Sequence, residues 1–199
     1  MTLLGITGGI GSGKSFVAHL LTRHFGVPVY DCDAAAKRLE NDDPALRAAL
    51  TSVVGPEVYD AQSGELVRPV LARFLFADED HAAVVNHIVH PAVQRDLHRW
   101  AEGQSLPLLA VESAILYESG FDAMVDRVLF VDAPLDVRLS RAMRRDGASR
   151  QQIAARVARQ DSERHREQAD YVIFNDAAAD EHSLLAQLAS IPELITQSK

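Results

Sequence analysis

Residues 8–15 read GGIGSGKS, in which four of the first six residues are glycine and the last two are lysine and serine. The stretch matches the pattern G-x-x-x-x-G-K-[ST] in full, and it follows a predicted strand and opens a predicted helix. Glycine permits backbone conformations that a Cβ atom would exclude, so successive N–H groups can converge on one anion. A flexible glycine-rich turn is the simpler alternative, but the placement between strand and helix favours a loop that binds a polyphosphate.

This pattern, the P-loop, gives each of its residues an expected contact. Lys14 is expected to reach the β- and γ-phosphates of a nucleotide, and Ser15 is expected to ligate Mg²⁺. The backbone that holds the phosphates is expected to come from Gly9, Gly11, Ser12 and Gly13. The guanine motif N-K-x-D and the switch motif D-x-x-G do not occur in the sequence, so a regulatory GTPase is not favoured.

The composition excludes several classes of protein. The chain has 199 residues with 20 basic and 28 acidic side chains, and this net charge of −8 disfavours a protein that wraps nucleic acid. No apolar run approaches the roughly 18 residues that cross a bilayer, so no membrane partner is expected. Cys32 is the only cysteine, which excludes an intrachain disulfide and, with no recognisable export signal, suggests a cytoplasmic location. We expect small-molecule partners and a monomer or a small homo-oligomer.

Short apolar runs bounded by turn or cap residues predict five buried strands: Leu3–Thr7, Val27–Tyr30, Leu106–Glu112, Arg127–Asp132 and Tyr171–Phe174. Longer stretches between them have helical spacing, with predicted buried faces at Phe16, Val17, Leu20, Leu21 and Phe25, and at Leu135, Leu139, Ala142 and Met143. This alternation predicts an α/β fold of three layers, in which helices cover both faces of a five-stranded parallel sheet.

Two stretches interrupt the alternation and predict insertions. Residues 31–104 contain several helical patterns and no convincing strand, whereas residues 141–169 are polar and rich in arginine. The predicted organisation is a nucleotide-binding core of residues 1–30, 105–140 and 170–199, a helical substrate-binding domain of residues 31–104, and an arginine-rich helical lid of residues 141–169. This plan is typical of a small-molecule kinase that closes over two substrates and excludes water.

Nine of the 17 arginines lie between Arg138 and Arg166. Two rows in this segment have the spacing of one helix side: Arg138, Arg141 and Arg145, then Arg156, Arg159 and Gln160. A solvated, salt-bridged surface is the alternative for any single arginine. The cluster as a whole predicts neutralisation of phosphate charge, which is a main requirement of phosphoryl transfer.

Asp31 and Asp33 follow the second predicted strand at its carboxyl end, where α/β sheets place their ligands. Asp33 opens the next helix and is the better candidate for a general base that orients and deprotonates an acceptor hydroxyl. Aspartate is also a preferred helix N-cap, a role that stabilises a helix by ~1 kcal/mol. From the residues alone, catalysis and capping by Asp33 are about equally favoured. For Asp132, at the end of another apolar run, capping is favoured over a contact with Mg²⁺.

Together, seven motifs resemble the dephospho-CoA kinase family in order and spacing: GITGGIGSGKS, DCDAAAKRL, HPAV, ILYESGFD, RVLFVDAP, ARVARQ and ADYVIFND. The resemblance covers nearly the whole chain. It implies a kinase that transfers the γ-phosphoryl group of ATP to the ribose 3′-hydroxyl of dephospho-CoA, which completes coenzyme A. The implied cofactors are ATP and Mg²⁺, and the implied partners are ATP and dephospho-CoA.

The resemblance also implies roles at matching positions. Asp33 matches the family's proposed general base, and Arg141 and Arg145 match lid residues that close on the ATP phosphates. Asn175 lies where the family contacts adenine. The implied catalytic residues are thus Asp33, Lys14 and Arg141, and Arg68 and His90 are expected near the acceptor.

One departure from the family pattern concerns Glu112. Family members often have Asp-x-Pro-Leu-Leu where this chain has the run Glu112-Ser113-Ala114-Ile115-Leu116. The carboxylate is kept, so a place for Glu112 beside the substrates and Mg²⁺ is still expected, and loss of the proline affects only the local turn.

Some alternatives stay open at this point. The function is alternatively that of another small-molecule P-loop kinase, of the nucleoside monophosphate or shikimate type, or of a nucleotide-dependent switch or assembly ATPase. For His90, a helix boundary caused by Pro91 is about as well supported as contact with a ligand.

Overall fold

The computed structural model of the protein describes residues 1–158, 160 and 162–195. Arg159, a member of the second predicted arginine row, lies outside the described residues.

Five strands form one parallel sheet, as the sequence predicts. They are β1 (Thr2–Thr7), β2 (Val29–Asp31), β3 (Leu108–Glu112), β4 (Arg127–Asp132) and β5 (Tyr171–Phe174). Their order in the sheet is β2-β3-β1-β4-β5, so β1 is central and the chain crosses over on both sides of it. The loop of residues 8–13 leaves the carboxyl end of β1, which is where sheets of this kind bind ligands.

Two strands begin later than predicted, because a proline precedes each of them. Pro28 and Pro107 have no N–H group to donate to a sheet. Their carbonyl groups already accept bonds from the amides of Ala110 and Thr2, at 2.9 and 2.7 Å, so the chain approaches the sheet before regular pairing begins.

The α-helices of the described residues are α1 (Lys14–Phe25), α2 (Cys32–Asp42), α3 (Pro44–Val54), α4 (Arg68–Leu75), α5 (Glu79–Glu102), α6 (Leu135–Asp146), α7 (Arg150–Val157), α8 (Ser162–Gln168), α9 (Glu181–Leu188) and α10 (Pro192–Ile195). Short 3₁₀ helices lie at Pro56–Val58 and Phe121–Met124. The chain forms two compact units, one of residues 31–104 and one of the residues before and after them.

In the unit that contains the sheet, apolar side chains pack against both faces of the sheet. Leu4 and Ile6 of β1 belong to a buried cluster with residues of α1 and α9. Gly5 lies between them in the chain and therefore faces the other way, toward Leu116 and Val125. The sequence prediction of apolar helix faces was wrong at Phe16 and Leu135, which are 44% and 54% exposed. Both lie in the first turn of a helix, outside the stripe that the later turns bury.

The helical unit of residues 31–104 is organised by α5. The buried side chains of α5 recur at about four-residue intervals, at Val85, Val89, Val93, Leu97 and Ala101, and the helix packs on α2, α3 and α4. The helix runs without a break through Pro91, so the helix boundary considered at this position is wrong. Burial of turns on both sides of the proline compensates for the backbone bond that it removes.

Close packing explains two of the P-loop glycines. Gly11 and Gly13 have φ angles of +79° and +95°. A Cβ atom on Gly11 would lie 2.2 Å from the carbonyl oxygen of Arg138, and one on Gly13 would lie 2.2 Å from Nδ2 of Asn175. These glycines are therefore required by the protein's own packing, in addition to any ligand.

We expect Gly11→Ala to destabilise the protein more than Gly26→Ala. Gly26 has a similar φ of +66°, but a Cβ atom there meets nothing within 4 Å. Its substitution should therefore cost only the conformational term of about 1–2 kcal/mol. The clash with the Arg138 carbonyl should add roughly 1–3 kcal/mol at Gly11. Urea denaturation measures both free energies of unfolding, and equal losses would contradict this account.

Candidate active site

A cleft of about 220 Å³ lies over the P-loop and the side of α6. It is lined by Gly11, Gly13, Lys14, Ser15, Arg141, Ala142 and Arg145. The amides of Gly11, Gly13 and Ser15 donate to no atom of the described residues, so they are available to an acceptor in the cleft. The positive end of α1 lies at the same place, and an anion is the ligand that such a cleft suits.

The Lys14 ammonium group lies over the P-loop backbone. Nζ donates to the carbonyl oxygens of Gly8 and Gly9, at 2.8 and 3.3 Å. Gly9 and Ser12, both predicted to bind the cofactor, are not part of the cleft wall. Ser12 is completely buried, and its N–H group donates to the Gly9 carbonyl at 3.0 Å. These two residues hold the shape of the loop.

Ser15 and Glu112 meet at the end of the sheet. The Ser15 hydroxyl donates to Oε1 of Glu112 at 2.6 Å, although the two residues are 97 positions apart. A hydroxyl and a carboxylate are hard oxygen ligands of the kind that Mg²⁺ prefers, and Mg²⁺ in nucleotide sites usually takes only one or two carboxylates. The pair therefore fits the metal role that the sequence predicted. Among the described residues there is no group of three or more His, Cys, Asp or Glu side chains that could hold a metal ion.

Arg141 connects α6 to the segment after β5. Its guanidinium group donates to the carbonyl oxygens of Asn175 and Asp176, at 2.8 and 2.9 Å, and to that of Ser12 at 3.5 Å. Asn175 is itself buried, and its Nδ2 donates to the Ser12 carbonyl at 2.8 Å. The structure thus places Asn175 beneath the P-loop as a support, a role that the sequence did not predict. Its contact with adenine stays a prediction.

Arg145 is held by a neighbouring carboxylate. Asp146 accepts from Nε of Arg145 at 2.7 Å and from Arg156 of α7 at 2.6 Å. The hydrogen bonds from these two guanidinium groups lower the pKa of Asp146 to about 2. Asp146 therefore stays ionised at neutral pH and keeps both arginines oriented.

Asp132 does not cap the helix that follows β4, contrary to the sequence interpretation. Helix α6 starts after Pro134 without a side-chain cap. The Asp132 carboxylate instead pairs with Nε of Arg166 at 3.2 Å. The N-cap position is occupied by Pro134, whose side chain has no oxygen to accept from the first helical amides, and Asp132 lies ahead of that position.

In the helical unit, the capping role falls to Asp31. Its carboxylate accepts from the amide of Ala34 at 2.9 Å, which is the geometry of an N-cap. Asp33 lies in the first turn of α2 and is exposed, and its carboxylate forms no hydrogen bond or ion pair with any described residue. Capping therefore does not account for the carboxylate of Asp33.

Arg68 and His90, also in the helical unit, differ in their surroundings. Arg68 is half-exposed and its Nη1 lies 3.2 Å from Oε2 of the buried Glu40. Burial raises the pKa of Glu40, and the neighbouring Arg68 partly offsets this rise. His90 is half-buried, and burial, together with the charge of His87, lowers its pKa.

The fold and the cleft together define a P-loop kinase. A profile described as dephospho-CoA kinase matches residues 2–181. The dephospho-CoA kinase of Bacteroides fragilis is 43% identical over 98% of this chain and 93% of that protein, and the one from Porphyromonas gingivalis is 41% identical over 98% and 95%. A crystal structure from Thermus thermophilus shares 35% identity and a TM-score of 0.81 over 94% of this chain and 93% of that one. The chain belongs to the dephospho-CoA kinase family and is an ATP-dependent kinase.

No helix among the described residues is long and apolar enough to cross a membrane.

The pH dependence of stability should reveal the buried carboxyl group of Glu40. Because burial raises its folded-state pKa above the unfolded value, its stabilising contribution is present at low pH and is lost as the pH rises through the folded-state pKa. We expect the free energy of unfolding of the wild type, relative to Glu40→Gln, to fall as the pH rises from the ordinary pKa of glutamate, about 4.3, toward and through the higher folded-state pKa.

Asp60→Asn is the matched control in the same unit. Hydrogen bonds from Ser63 and Gln62 lower the pKa of Asp60, so its contribution is lost only in more acidic solution. Urea titrations over the same range should give a flat difference for Asp60→Asn. A flat or rising difference for Glu40→Gln would contradict the burial argument.

Proposed function

We propose that the protein transfers the γ-phosphoryl group of ATP to the 3′-hydroxyl of the ribose of dephospho-CoA, which yields coenzyme A and ADP. The observation that carries this proposal is the cleft where free P-loop amides face Arg141 and Arg145, in a chain of the dephospho-CoA kinase family. In the transfer, the bond from the γ-phosphorus to the oxygen that bridges to the β-phosphate breaks. A bond from the same phosphorus to the acceptor oxygen forms.

The residues of the cleft would act mainly by binding and by charge. The amides of Gly11, Gly13 and Ser15 would hold the phosphate chain, and Lys14 would move from the carbonyls of Gly8 and Gly9 to the β- and γ-phosphates. Arg145 would bring a guanidinium group to the same phosphates. Such fixed positive groups stabilise the charge that develops on the transferring group.

Ser15 and Glu112 would hold Mg²⁺. Their 2.6 Å contact brings two suitable oxygen ligands together beside Lys14. When bound, the ion would neutralise phosphate charge and fix the orientation of the phosphate chain. Glu112 would also keep the Ser15 hydroxyl directed toward this position.

Asp33 would act as the general base. Its carboxylate is exposed, and Asp31 rather than Asp33 caps α2, which leaves Asp33 without a structural partner among the described residues. It would accept the proton of the acceptor hydroxyl as the new bond to phosphorus forms. Arg68 and His90 would contact the acceptor, and Asn175 would contact adenine, as the resemblance to the family implies. Because its pKa is lowered, His90 would make this contact as a neutral imidazole.

Membership of the dephospho-CoA kinase family favours this acceptor over those of nucleoside monophosphate and shikimate kinases. A cytoplasmic location, a monomeric or small homo-oligomeric state and the absence of nucleic-acid partners remain predictions.

A coupled assay of ADP release tests the acceptor. We expect ADP release to depend on dephospho-CoA, and coenzyme A to form in equal amount, because the transfer links the two products. AMP, CMP and shikimate should not replace dephospho-CoA. Release supported by one of those acceptors would favour another small-molecule kinase, and release without any acceptor would favour a switch or assembly ATPase.

Replacement of Asp33 tests the general base. We expect Asp33→Asn to lower kcat by roughly 10²- to 10⁴-fold, the usual contribution of a general base. The thermal midpoint should change little, since Asp33 has no partner among the described residues.

Asp43→Asn is the control for this change of charge. Asp43 caps α3 of the same unit by accepting from the amides of Ala45 and Leu46, and asparagine caps equally well. This variant should keep the wild-type kcat. Full turnover by Asp33→Asn would exclude Asp33 as the base.

A further inference from the structure

Ile10 is the only apolar residue of the P-loop, and contacts hold it on three sides. Its side chain packs against a small buried cluster of Leu139, Ala142 and Ile153, which lies between α6 and α7. Its carbonyl oxygen accepts from Nε of Arg138 at 3.1 Å. Its amide donates to Oε1 of Gln160 at 2.8 Å, across 150 positions of sequence.

The contact with Gln160 has a defined chemistry. A backbone N–H group is only a donor, so the atom of the carboxamide that faces it is the oxygen. The backbone of Gln160 is itself held, because its own N–H group donates to the Val157 carbonyl at 3.0 Å. The Gln160 side chain therefore extends to the P-loop from a backbone position, just after the end of α7, that is itself held by a hydrogen bond.

The amides of the P-loop differ in whether they are bonded to the protein itself. The amides of Ile10 and Ser12 are bonded to the protein, whereas those of Gly11, Gly13 and Ser15 remain available in the cleft. Ile10 is not part of the cleft wall. The Ile10 N–H group belongs to the Gly9–Ile10 peptide. Fixing that peptide restricts the directions open to the Gly11 amide, because only the two soft backbone angles of Ile10 separate the two peptides.

The same contact connects the P-loop to the arginines of α6. Arg141 and Arg145 line the cleft from α6, and α6 and α7 share the apolar cluster that receives Ile10. A bond from the end of α7 to Ile10 therefore fixes the arginines and the amides of the P-loop relative to each other. Both sets of donors face the same phosphate chain.

We propose that Gln160 is a positioning residue for ATP, which acts through the Ile10 amide to hold the P-loop donors and the α6 arginines in one arrangement. This inference rests on the proposed binding of ATP phosphates in the cleft, and it is independent of which acceptor is phosphorylated. A merely solvated Gln160 would leave both the exchange of the Ile10 amide and the affinity for ATP unaffected.

Gln160→Met tests the proposal, because it keeps the length of the side chain and removes the carboxamide oxygen. In the protein without nucleotide, we expect the Ile10 amide hydrogen to exchange with solvent faster than in the wild type, as measured by NMR. ATP binding, measured by calorimetry without acceptor, should be about two- to tenfold weaker, as expected for one lost hydrogen bond. In turnover, KM for ATP should rise more than kcat falls, because the phosphates are held alike before and during the transfer.

Two further variants separate positioning from general stability. Gln160→Glu keeps an oxygen that accepts from Ile10, so the Ile10 amide should stay protected. Gln151→Met makes the same change as Gln160→Met on an exposed residue of α7, and it should leave both exchange and ATP binding unchanged.

The proposal is overturned if Gln160→Met leaves the exchange of Ile10 and the affinity for ATP at their wild-type values. It is also overturned if exchange accelerates throughout α6 and α7 with a lower thermal midpoint, which is the result of a purely structural role. Activity toward a different acceptor would contradict the proposed function but would leave these measurements intact.

Discussion

The central constraint in this protein is that the backbone between Gly8 and Ser15 must turn sharply and leave its amides uncovered by side chains. A phosphate chain can be bound by amides only where side chains do not intervene, and this requirement excludes Cβ atoms from several positions. Other atoms of the protein occupy the space beside these glycines. The carbonyl of Arg138 lies against Gly11, and the amide group of Asn175 lies against Gly13. Any side chain at Gly11 or Gly13 would therefore disturb the packing of the core as well as the ligand site.

The supports of the P-loop come from parts of the chain that are distant in sequence. Asn175 and Arg141 converge on the Ser12 carbonyl, and both are also bonded to each other, with Nη2 of Arg141 3.3 Å from Oδ1 of Asn175. An arginine predicted from the family to belong to a closing lid is thus already bonded to the core. The helix α6 that carries it starts directly after β4 and runs continuously through residue 141, so this part of the arginine-rich segment is anchored to the sheet.

Local patterns in the sequence were enough to predict the fold, whereas distant pairings were not. The five strands and the P-loop follow from short apolar runs and from glycine spacing, which act over a few residues. The contact between Ser15 and Glu112 was foreseen only as a shared role near Mg²⁺. Nothing in the sequence indicates that Asn175 supports Ser12, because an asparagine side chain can bond to any backbone group within its reach. Capping was assigned wrongly to Asp132, which pairs with Arg166, and it was left open for Asp33, where the structure shows that Asp31 caps the helix. Which of several neighbouring carboxylates caps a helix depends on the angle at which the chain enters it, and composition does not determine that angle.

In this acidic protein, positive side chains are concentrated at the cleft, and most of their contacts there do not neutralise their charge. The chain carries a net charge of −8, yet the cleft is lined by Lys14, Arg141 and Arg145. Two of these cations are held by neutral carbonyl oxygens, so their charge is not cancelled by those contacts. Arg145 donates to a carboxylate, that of Asp146. Asp146 also accepts from Arg156, so it keeps a cationic partner when a phosphate competes for Arg145. A cleft of this kind attracts a polyphosphate at short range, although the chain as a whole is acidic.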